Sequence, residues 1–194
     1  MLKMLTEIEN IVKSINFVQN NSITDSEISS FIQLNNLNKE DIKKISMFSS
    51  LLRAKKENKI INFCISTSRI PQARYKTFSN FDYSIIGEKG AAEIKSLETL
   101  YPIMNSTNLI FVGPEGTGKT HIAQAFGNAC CQKGFKTFFI KMGELKDKFD
   151  KARETGKIAN LLNYLIKPAC LIIDEVGYCN FDTENSRLFF QVID

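Results

Sequence analysis

Residues 113–120 constrain this chain more than any other segment, because they match the pattern G-x-x-x-x-G-K-[ST]. The eight residues are Gly113, Pro114, Glu115, Gly116, Thr117, Gly118, Lys119 and Thr120. The apolar run Leu109–Val112 precedes them and predicts a strand, and a helix is predicted from Lys119 to about Gln132, ended by Gly134. A strand and a helix on either side of this pattern are typical of a phosphate-binding P-loop.

The residue types in this loop predict its chemistry. Glycines let the backbone turn tightly so that successive N–H groups point at phosphate oxygens, and the following helix presents its positive end. Lys119 is expected to reach the β- and γ-phosphates and to act in catalysis, and the Thr120 hydroxyl to bind Mg²⁺. ATP and Mg²⁺ are therefore the predicted cofactors. His121, next on the helix, joins the predicted nucleotide-binding residues as a helix-surface residue rather than a general base.

A second signal lies 54 residues after Thr120, where the apolar run Ala169–Ile173 ends in Asp174 and Glu175. A buried strand that ends in two acids places the carboxylates at the carboxyl edge of a sheet, where α/β proteins bind ligands. Asp174 is predicted to hold Mg²⁺ through water. Glu175 is predicted to be catalytic, orienting and deprotonating the attacking water.

The remaining pattern predicts an α/β fold in which a parallel sheet is flanked by helices. Further strands are expected at residues 137–140 and 169–174. Further helices are expected at residues 144–154 and 157–166 and from residue 184. We assign a P-loop ATPase core to residues 81–194 and a linker to residues 61–80.

Residues 1–60 are predicted to form a small helical domain. Apolar residues recur at helical spacing between Leu5 and Ile15. A capping box at Thr24 and Glu27 opens a second helix. Asn38 can cap a third helix, whose basic carboxyl end is expected between Arg53 and Lys59.

The charge of the chain is concentrated in its centre. The net charge is +4, yet residues 39–76 carry ten Lys and Arg against three acids. Within this stretch Arg53, Lys55, Lys56 and Lys59 are predicted to contact the DNA backbone without reading bases. The structural alternative is a solvated helix end whose cations complement the helix dipole.

Two observations favour a cytoplasmic protein. No apolar run approaches the roughly 20 residues of a membrane helix or resembles a signal peptide. The five cysteines form neither a C-x-x-C pair nor a regular framework, which predicts reduced thiols in the core.

Several segments together resemble the IstB-like helper ATPases of insertion-sequence transposition. They are residues 113–123, 156–162, 171–178 and 190–193, with residues 76–78 and 81–84 upstream. The same region is similar to the DnaC-like helicase loaders, a sister group of AAA+ ATPases. Residues 174–178 and 190–192 favour the transposition helpers.

The resemblance implies an AAA+ ATPase that forms an ATP-dependent homo-oligomer on DNA and works with a transposase. It also implies that residues 81–86 lie near the adenine. Two alternatives stay open. One is a helicase loader, whose partner is a replicative helicase. The other is a non-catalytic truncated remnant that binds only DNA or protein.

The chain departs from this family at its carboxyl end. Relatives continue beyond the position of Asp194 with a strand that carries a sensor residue, an arginine finger and a further strand. In the family's sheet order those strands flank the P-loop strand. We therefore expect a C-terminally truncated core in which Leu109–Val112 has no neighbour and the magnesium site is compromised. ATP hydrolysis is expected only when the missing part is supplied.

Overall fold

The computed structural model describes residues 24–35 and 38–194, which form eight α-helices and two β-strands. In chain order they are α1 (Asp25–Leu34), α2 (Lys39–Thr67), α3 (Glu88–Ser96), α4 (Tyr101–Met104), α5 (Lys119–Gln132), β1 (Thr137–Lys141), α6 (Met142–Glu154), α7 (Ile158–Ile166), β2 (Cys170–Asp174) and α8 (Thr183–Ile193). Short 3₁₀ helices cover Tyr83–Ile85 and Leu97–Thr99. The helices between residues 88 and 104 were not predicted. Among the described residues, no helix combines the length and apolar character needed to span a bilayer.

The chain divides into two compact units between residues 59 and 60. In the first unit, the capping box that opens α1 is confirmed. The Thr24 N–H donates to Glu27 Oε2 at 2.7 Å, and the Glu27 N–H donates back to Thr24 Oγ1 at 3.4 Å. The predicted cap of α2 is also present, because Asn38 Oδ1 accepts from the backbone N–H groups of Glu40 and Asp41. The predicted helix between Leu5 and Ile15 lies outside the described residues.

Helix α2 is longer than the sequence predicted. It was expected to end near Lys59 but runs to Thr67, and its last turn contains no basic residue. No proline or glycine interrupts residues 39–67, so nothing stops the helix there. The segment expected to be a linker, residues 61–80, therefore begins as helix. It then packs into the second unit, where Ile70 and Phe78 are buried.

The second unit contains a two-stranded parallel sheet, as the alternation of strands and helices predicted. Strand β1 pairs with β2 in a register that runs from Thr137 opposite Cys170 to Lys141 opposite Asp174. The other edge of β1 is engaged too, because the Phe139 N–H donates to the Ser68 carbonyl at 2.7 Å. Both strands end at the same edge, which is where Asp174 lies.

Apolar clusters cover both faces of this sheet, as expected when helices flank parallel strands. On one face, Phe139 and Ile172 join a cluster that includes Phe126 from α5. On the other face, Phe138 and Ile140 join a cluster with residues from α6, α7 and α8. All five cysteines are free, and the four of them that are buried are Cys64, Cys130, Cys131 and Cys170.

Helix α5 approaches the sheet very closely at Gly127. A Cβ atom at this position would lie 2.5 Å from the Cδ1 atom of Ile172 and 2.8 Å from that of Ile70. A side chain at residue 127 would therefore have to displace these isoleucine side-chain ends or move the helix, in an interior that is tightly packed. The absence of a side chain at residue 127 thus allows the helix after the P-loop to pack closely on β2.

The predicted strand at Leu109–Val112 is not a strand in the structure. Leu109 and Phe111 pack against the first apolar cluster, whereas Ile110 and Val112 are 85% and 89% exposed. The segment has the alternation of a strand, but among the described residues no backbone hydrogen bond joins it to another segment. A strand needs a paired neighbour, and in the part of the chain that the structure describes β2 pairs with β1 alone. The expected lack of a neighbour is therefore observed.

Amide hydrogen exchange should distinguish this segment from the sheet. We expect the amides of Ile110 and Val112 to exchange at nearly the rate of an unstructured peptide, because they have no acceptor. The amides of Phe139 and Ile172 should be protected by several orders of magnitude, because they lie in paired, buried strands. Mass spectrometry of the purified chain measures both sets in one sample. Protection of residues 109–112 equal to that of the strands would show that they are paired in solution.

Candidate functional site

The P-loop has the backbone geometry that its glycines predict. Gly116 and Gly118 both lie in the left-handed region at φ +80°, which residues with a side chain rarely adopt. The Thr117 hydroxyl donates to the Pro114 carbonyl at 2.8 Å and closes the loop. Gly118 is the N-cap of α5, and the first turn of that helix contains no acidic residue. The free N–H groups at this helix end therefore form a site suited to an anion.

Lys119 lies across the loop. Its ammonium group donates to the carbonyls of Gly113 at 2.8 Å and Pro114 at 2.6 Å. Both acceptors are neutral carbonyl oxygens, and a phosphate is a stronger, charged acceptor for the same ammonium. Lys119 is thus the cation of the loop, positioned to exchange these bonds for phosphate.

Thr120 and Asp174 are brought together, although 54 residues separate them. The Thr120 hydroxyl donates to Asp174 Oδ1 at 3.0 Å. Oxygen ligands of this kind are those that Mg²⁺ prefers, and a nucleotide and water supply the rest of its coordination. Within the described part of the chain, no group of three or more His, Cys, Asp or Glu side chains forms a metal site. The pair therefore fits a magnesium ion held largely by the nucleotide. The two residues are in contact although Leu109–Val112 has no paired neighbour among the described residues, so the expected compromise of the magnesium site is not seen at this pair.

Glu175 has an unusual conformation and a partner that the sequence analysis missed. Its φ of +60° is uncommon for a residue with a side chain and costs roughly 1–2 kcal/mol. Its carboxylate accepts from Lys141 Nζ at 2.6 Å, and this hydrogen bond, with the charge of Glu175, raises the pKa of Lys141. Lys141 is the last residue of β1, opposite Asp174. Neighbouring parallel strands end at one edge of the sheet. The position of Lys141 at the end of β1 is therefore the feature of the sequence that could have identified it as a partner of Glu175.

Residues 77–81, where the expected linker meets the ATPase core, border the P-loop. A Cβ atom on Gly118 would lie 2.5 Å from Cε2 of Phe81, so the Phe81 ring rests on the loop backbone. The same ring meets the His121 ring edge-on, with centroids 5.2 Å apart. His121 is half-buried and shares a hydrogen bond of 2.9 Å with the Thr77 carbonyl. The prediction that it lies on the helix surface is therefore wrong.

The basic residues predicted to contact DNA lie in the middle of α2. Arg53, Lys55, Lys56 and Lys59 are all exposed. They precede the helix end at Thr67 by at least eight residues, whereas the helix dipole acts within the last turn. The dipole explanation for their charge is therefore excluded. Lys59 follows Lys55 by four residues and Lys56 by three, so it is a helix-surface neighbour of both. Within the described residues, no ion pair engages these three lysines.

Comparison with known proteins identifies the family. The sequence profile described as IstB-like ATP binding protein matches residues 11–194. The chain belongs to this family. The resemblance noted in the sequence is thereby confirmed.

Individual IstB-like relatives agree with this assignment. The chain is 36% identical over 138 residues to a protein named for ATP binding in insertion sequence IS5376 of Geobacillus stearothermophilus. It is 32% identical over 139 residues to the corresponding protein of IS232 in Bacillus thuringiensis. The alignments cover 71% and 72% of this chain but only 54% and 55% of those relatives. The chain thus spans about half the length of the IstB-like relatives that it matches.

Replacing Lys119 tests the phosphate-binding role of the loop. Lys119→Ala should weaken ATP binding about a hundredfold, because two charge-assisted hydrogen bonds contribute roughly 1.5 kcal/mol each. Lys133→Ala, at the other end of the same helix, is the matched control and should bind ATP like the parent. Titration calorimetry measures both affinities, and thermal unfolding checks that both variants fold. Equal ATP affinity of the two variants would remove Lys119 from the site.

Proposed function

We propose that this chain binds ATP and, in a protein extended to the length of its relatives, hydrolyses it as a helper of insertion-sequence transposition that assembles on DNA with a transposase. The observation that carries the proposal is the contact between Thr120 and Asp174 beside the P-loop, because it joins the two parts that an ATPase needs. The names of the relatives support the transposition context. Since the chain spans about half of those proteins, assembly, partner and cytoplasmic location are proposals for the longer protein.

In the proposed mechanism each residue has one task. The backbone N–H groups of 116–120 and the Lys119 ammonium bind the β- and γ-phosphates. Thr120 and Asp174 are the residues that would hold Mg²⁺, and the ion would supply positive charge against the phosphates. Glu175 accepts the proton of the attacking water. Phe81 packs its ring against the loop backbone at Gly118.

The ion pair between Lys141 and Glu175 bears on the last step. One oxygen of the Glu175 carboxylate already accepts a hydrogen bond from Lys141 Nζ. Glu175 must therefore leave Lys141, or share its second oxygen, when it accepts a proton from water. Lys141 is in this proposal a positioning residue, which holds the carboxylate at the edge of the sheet.

Two variants separate the base from the ion pair. In a protein extended to the length of its relatives, Glu175→Gln should bind ATP normally while turnover falls about 10²–10⁴-fold, because an amide cannot accept the proton. Lys141→Gln breaks the same ion pair but leaves the carboxylate, so it should keep turnover within about tenfold of the parent. Phosphate release and nucleotide titration measure the two quantities.

The same two variants can also contradict the proposed role of Glu175. If both variants lose turnover equally, the ion pair rather than the base is what matters. If Glu175→Gln turns over normally, Glu175 has no role in the chemistry. A turnover that stays absent in the extended parent protein favours the non-catalytic remnant instead, and the unpaired Leu109–Val112 segment is the observation that supports this second candidate.

DNA binding is proposed for the face of α2 that carries Lys55, Lys56 and Lys59. These lysines are exposed and engage no ion pair among the described residues. They also lie too far from the end of α2 to complement its helix dipole. Lysines without interleaved aromatic residues suit phosphates rather than bases. The contact is therefore proposed to be independent of sequence and sensitive to salt.

The salt dependence of DNA affinity tests this surface. Replacing Lys55, Lys56 and Lys59 together with Gln should reduce the slope of log affinity against log salt by about 2–3, since each phosphate contact contributes roughly 0.9. A control variant replaces the exposed Lys151, Lys157 and Lys167 with Gln and loses the same charge. It should keep the parent slope. Fluorescence anisotropy with duplex DNA measures all three proteins. Equal slopes for the two variants would place the DNA contact elsewhere.

A further inference from the structure

The turn of residues 77–81 is closed by its own hydrogen bonds. The Thr77 N–H donates to Asn80 Oδ1 at 2.8 Å, and the Asn80 N–H donates back to Thr77 Oγ1 at 3.2 Å. The Phe81 N–H donates to the Phe78 carbonyl at 3.3 Å. Side-chain oxygens that bond nearby backbone groups in this way stabilise tight turns. Because the turn is bonded internally, Thr77 and Phe81 keep a fixed position relative to each other.

His121, the third residue of α5, contacts this turn at both ends. Its Nε2 atom lies 2.9 Å from the Thr77 carbonyl oxygen, and because a carbonyl only accepts, Nε2 carries the proton of this hydrogen bond. The His121 ring also meets the Phe81 ring edge-on, with centroids 5.2 Å apart and the planes at 76°. Aromatic pairs favour this arrangement. One half-buried side chain therefore fixes both the position of the turn and the orientation of its last ring.

The Phe81 ring in turn supports the backbone of the P-loop. A Cβ atom on Gly118 would lie 2.5 Å from Cε2 and 3.3 Å from Cζ of this ring. Gly118 lies at φ +80° and is the N-cap of α5, so its conformation decides where the loop ends and the helix begins. The ring is buried and meets the Tyr83 ring edge-on at 5.0 Å, and these core contacts oppose its displacement.

We propose that His121 is a positioning residue for the phosphate site, a role that rests on the proposed binding of ATP by this loop. It acts through Thr77 and Phe81 to hold the backbone at Gly118, so that the free N–H groups at the start of α5 stay directed at phosphate. A site that is ordered in advance binds more tightly than one that must become ordered on binding. His121 therefore contributes to phosphate affinity without contacting the nucleotide, since its polar hydrogen is used by Thr77.

Two further side chains of α5 hold the segment before the turn. Asn128 Nδ2 donates to the Lys76 carbonyl at 2.8 Å, and Gln132 Nε2 donates to the Tyr75 hydroxyl at 3.3 Å. At 1.5 Å per residue, Gln132 lies about 16 Å from His121 along the helix axis. Gln132 is exposed and fastens the same segment far from the P-loop. It is therefore a matched control for a contact that attaches the segment without positioning the ring.

The affinities for ATP and for inorganic triphosphate test this role, because triphosphate has no base. Titration calorimetry of the intact chain with Mg²⁺ measures both. His121→Ala removes the hydrogen bond and the ring contact, so it should weaken the binding of both ligands about tenfold, a difference of 1.4 kcal/mol. His121→Gln keeps an N–H donor of similar reach and should stay within about threefold of the parent. Gln132→Ala should bind both ligands like the parent, and thermal unfolding checks that each variant folds.

Several results would contradict this role. His121→Ala that binds both ligands with the affinity of the parent would overturn it. A loss confined to ATP would also overturn it, because His121 would then act on the base. An equal loss in Gln132→Ala would show that attachment of the segment, rather than the position of the ring, determines affinity. A parent chain that binds neither ligand would remove the proposed function itself, whereas that function stands if the parent binds both.

A double-variant cycle tests whether His121 acts through Phe81. Phe81→Leu removes the ring but keeps an apolar side chain in the core. Adding His121→Ala to Phe81→Leu should then weaken triphosphate binding little beyond the effect of Phe81→Leu alone, because the two residues act as a unit. Losses that multiply in the double variant would show that the residues act independently, and would overturn the proposed route.

Discussion

The close contact between helix α5 and strand β2 at Gly127 is the constraint on which the nucleotide site depends. It brings the axis of the helix near Ile172, and two residues further along β2 lies Asp174. Seven residues back along the helix, about 10 Å away, lies Thr120. A larger residue at position 127 would have to displace the side-chain ends of Ile172 and Ile70 or move the helix outward, and an outward movement would separate the hydroxyl from the carboxylate. Close packing in the core therefore supports the contact between Thr120 and Asp174 at the surface.

The two halves of the P-loop are supported very differently. Lys119 and Thr120 belong to a regular helix packed on the sheet. Gly113 follows a segment that packs through Leu109 and Phe111 and, among the described residues, makes no backbone hydrogen bond to another segment. Segments with few hydrogen bonds open locally at low free energy. The helical side of the site is thus prearranged, and the side that carries the first glycine depends on packing contacts and on the bonds that Lys119 makes to its carbonyls.

Local patterns predicted much of this structure, and features that depend on distant partners were missed. The P-loop glycines and the apolar strand before Asp174 can each be recognised from their own residues, because turn geometry and apolar patterning depend on only a few neighbouring residues. Leu109–Val112 has the same local signal as β2 but lacks a neighbour, and pairing is a property of two segments. The bond between Lys141 and Glu175 could be foreseen only from the register of β1 and β2. Helix α2 is a further example. Its basic residues between Arg53 and Lys59 were interpreted as a helix end, but the helix continues beyond them.

Residues 77–81 join the nucleotide loop to the first apolar cluster. Phe78 and Phe81 are buried in that cluster, while Thr77 and Phe81 contact His121 and Gly118 at the loop. The Phe81 ring therefore belongs both to the core and to the border of the candidate site. A change of the loop backbone at Gly118 would meet this ring, so the packing of the core limits how far the loop can rearrange around a phosphate.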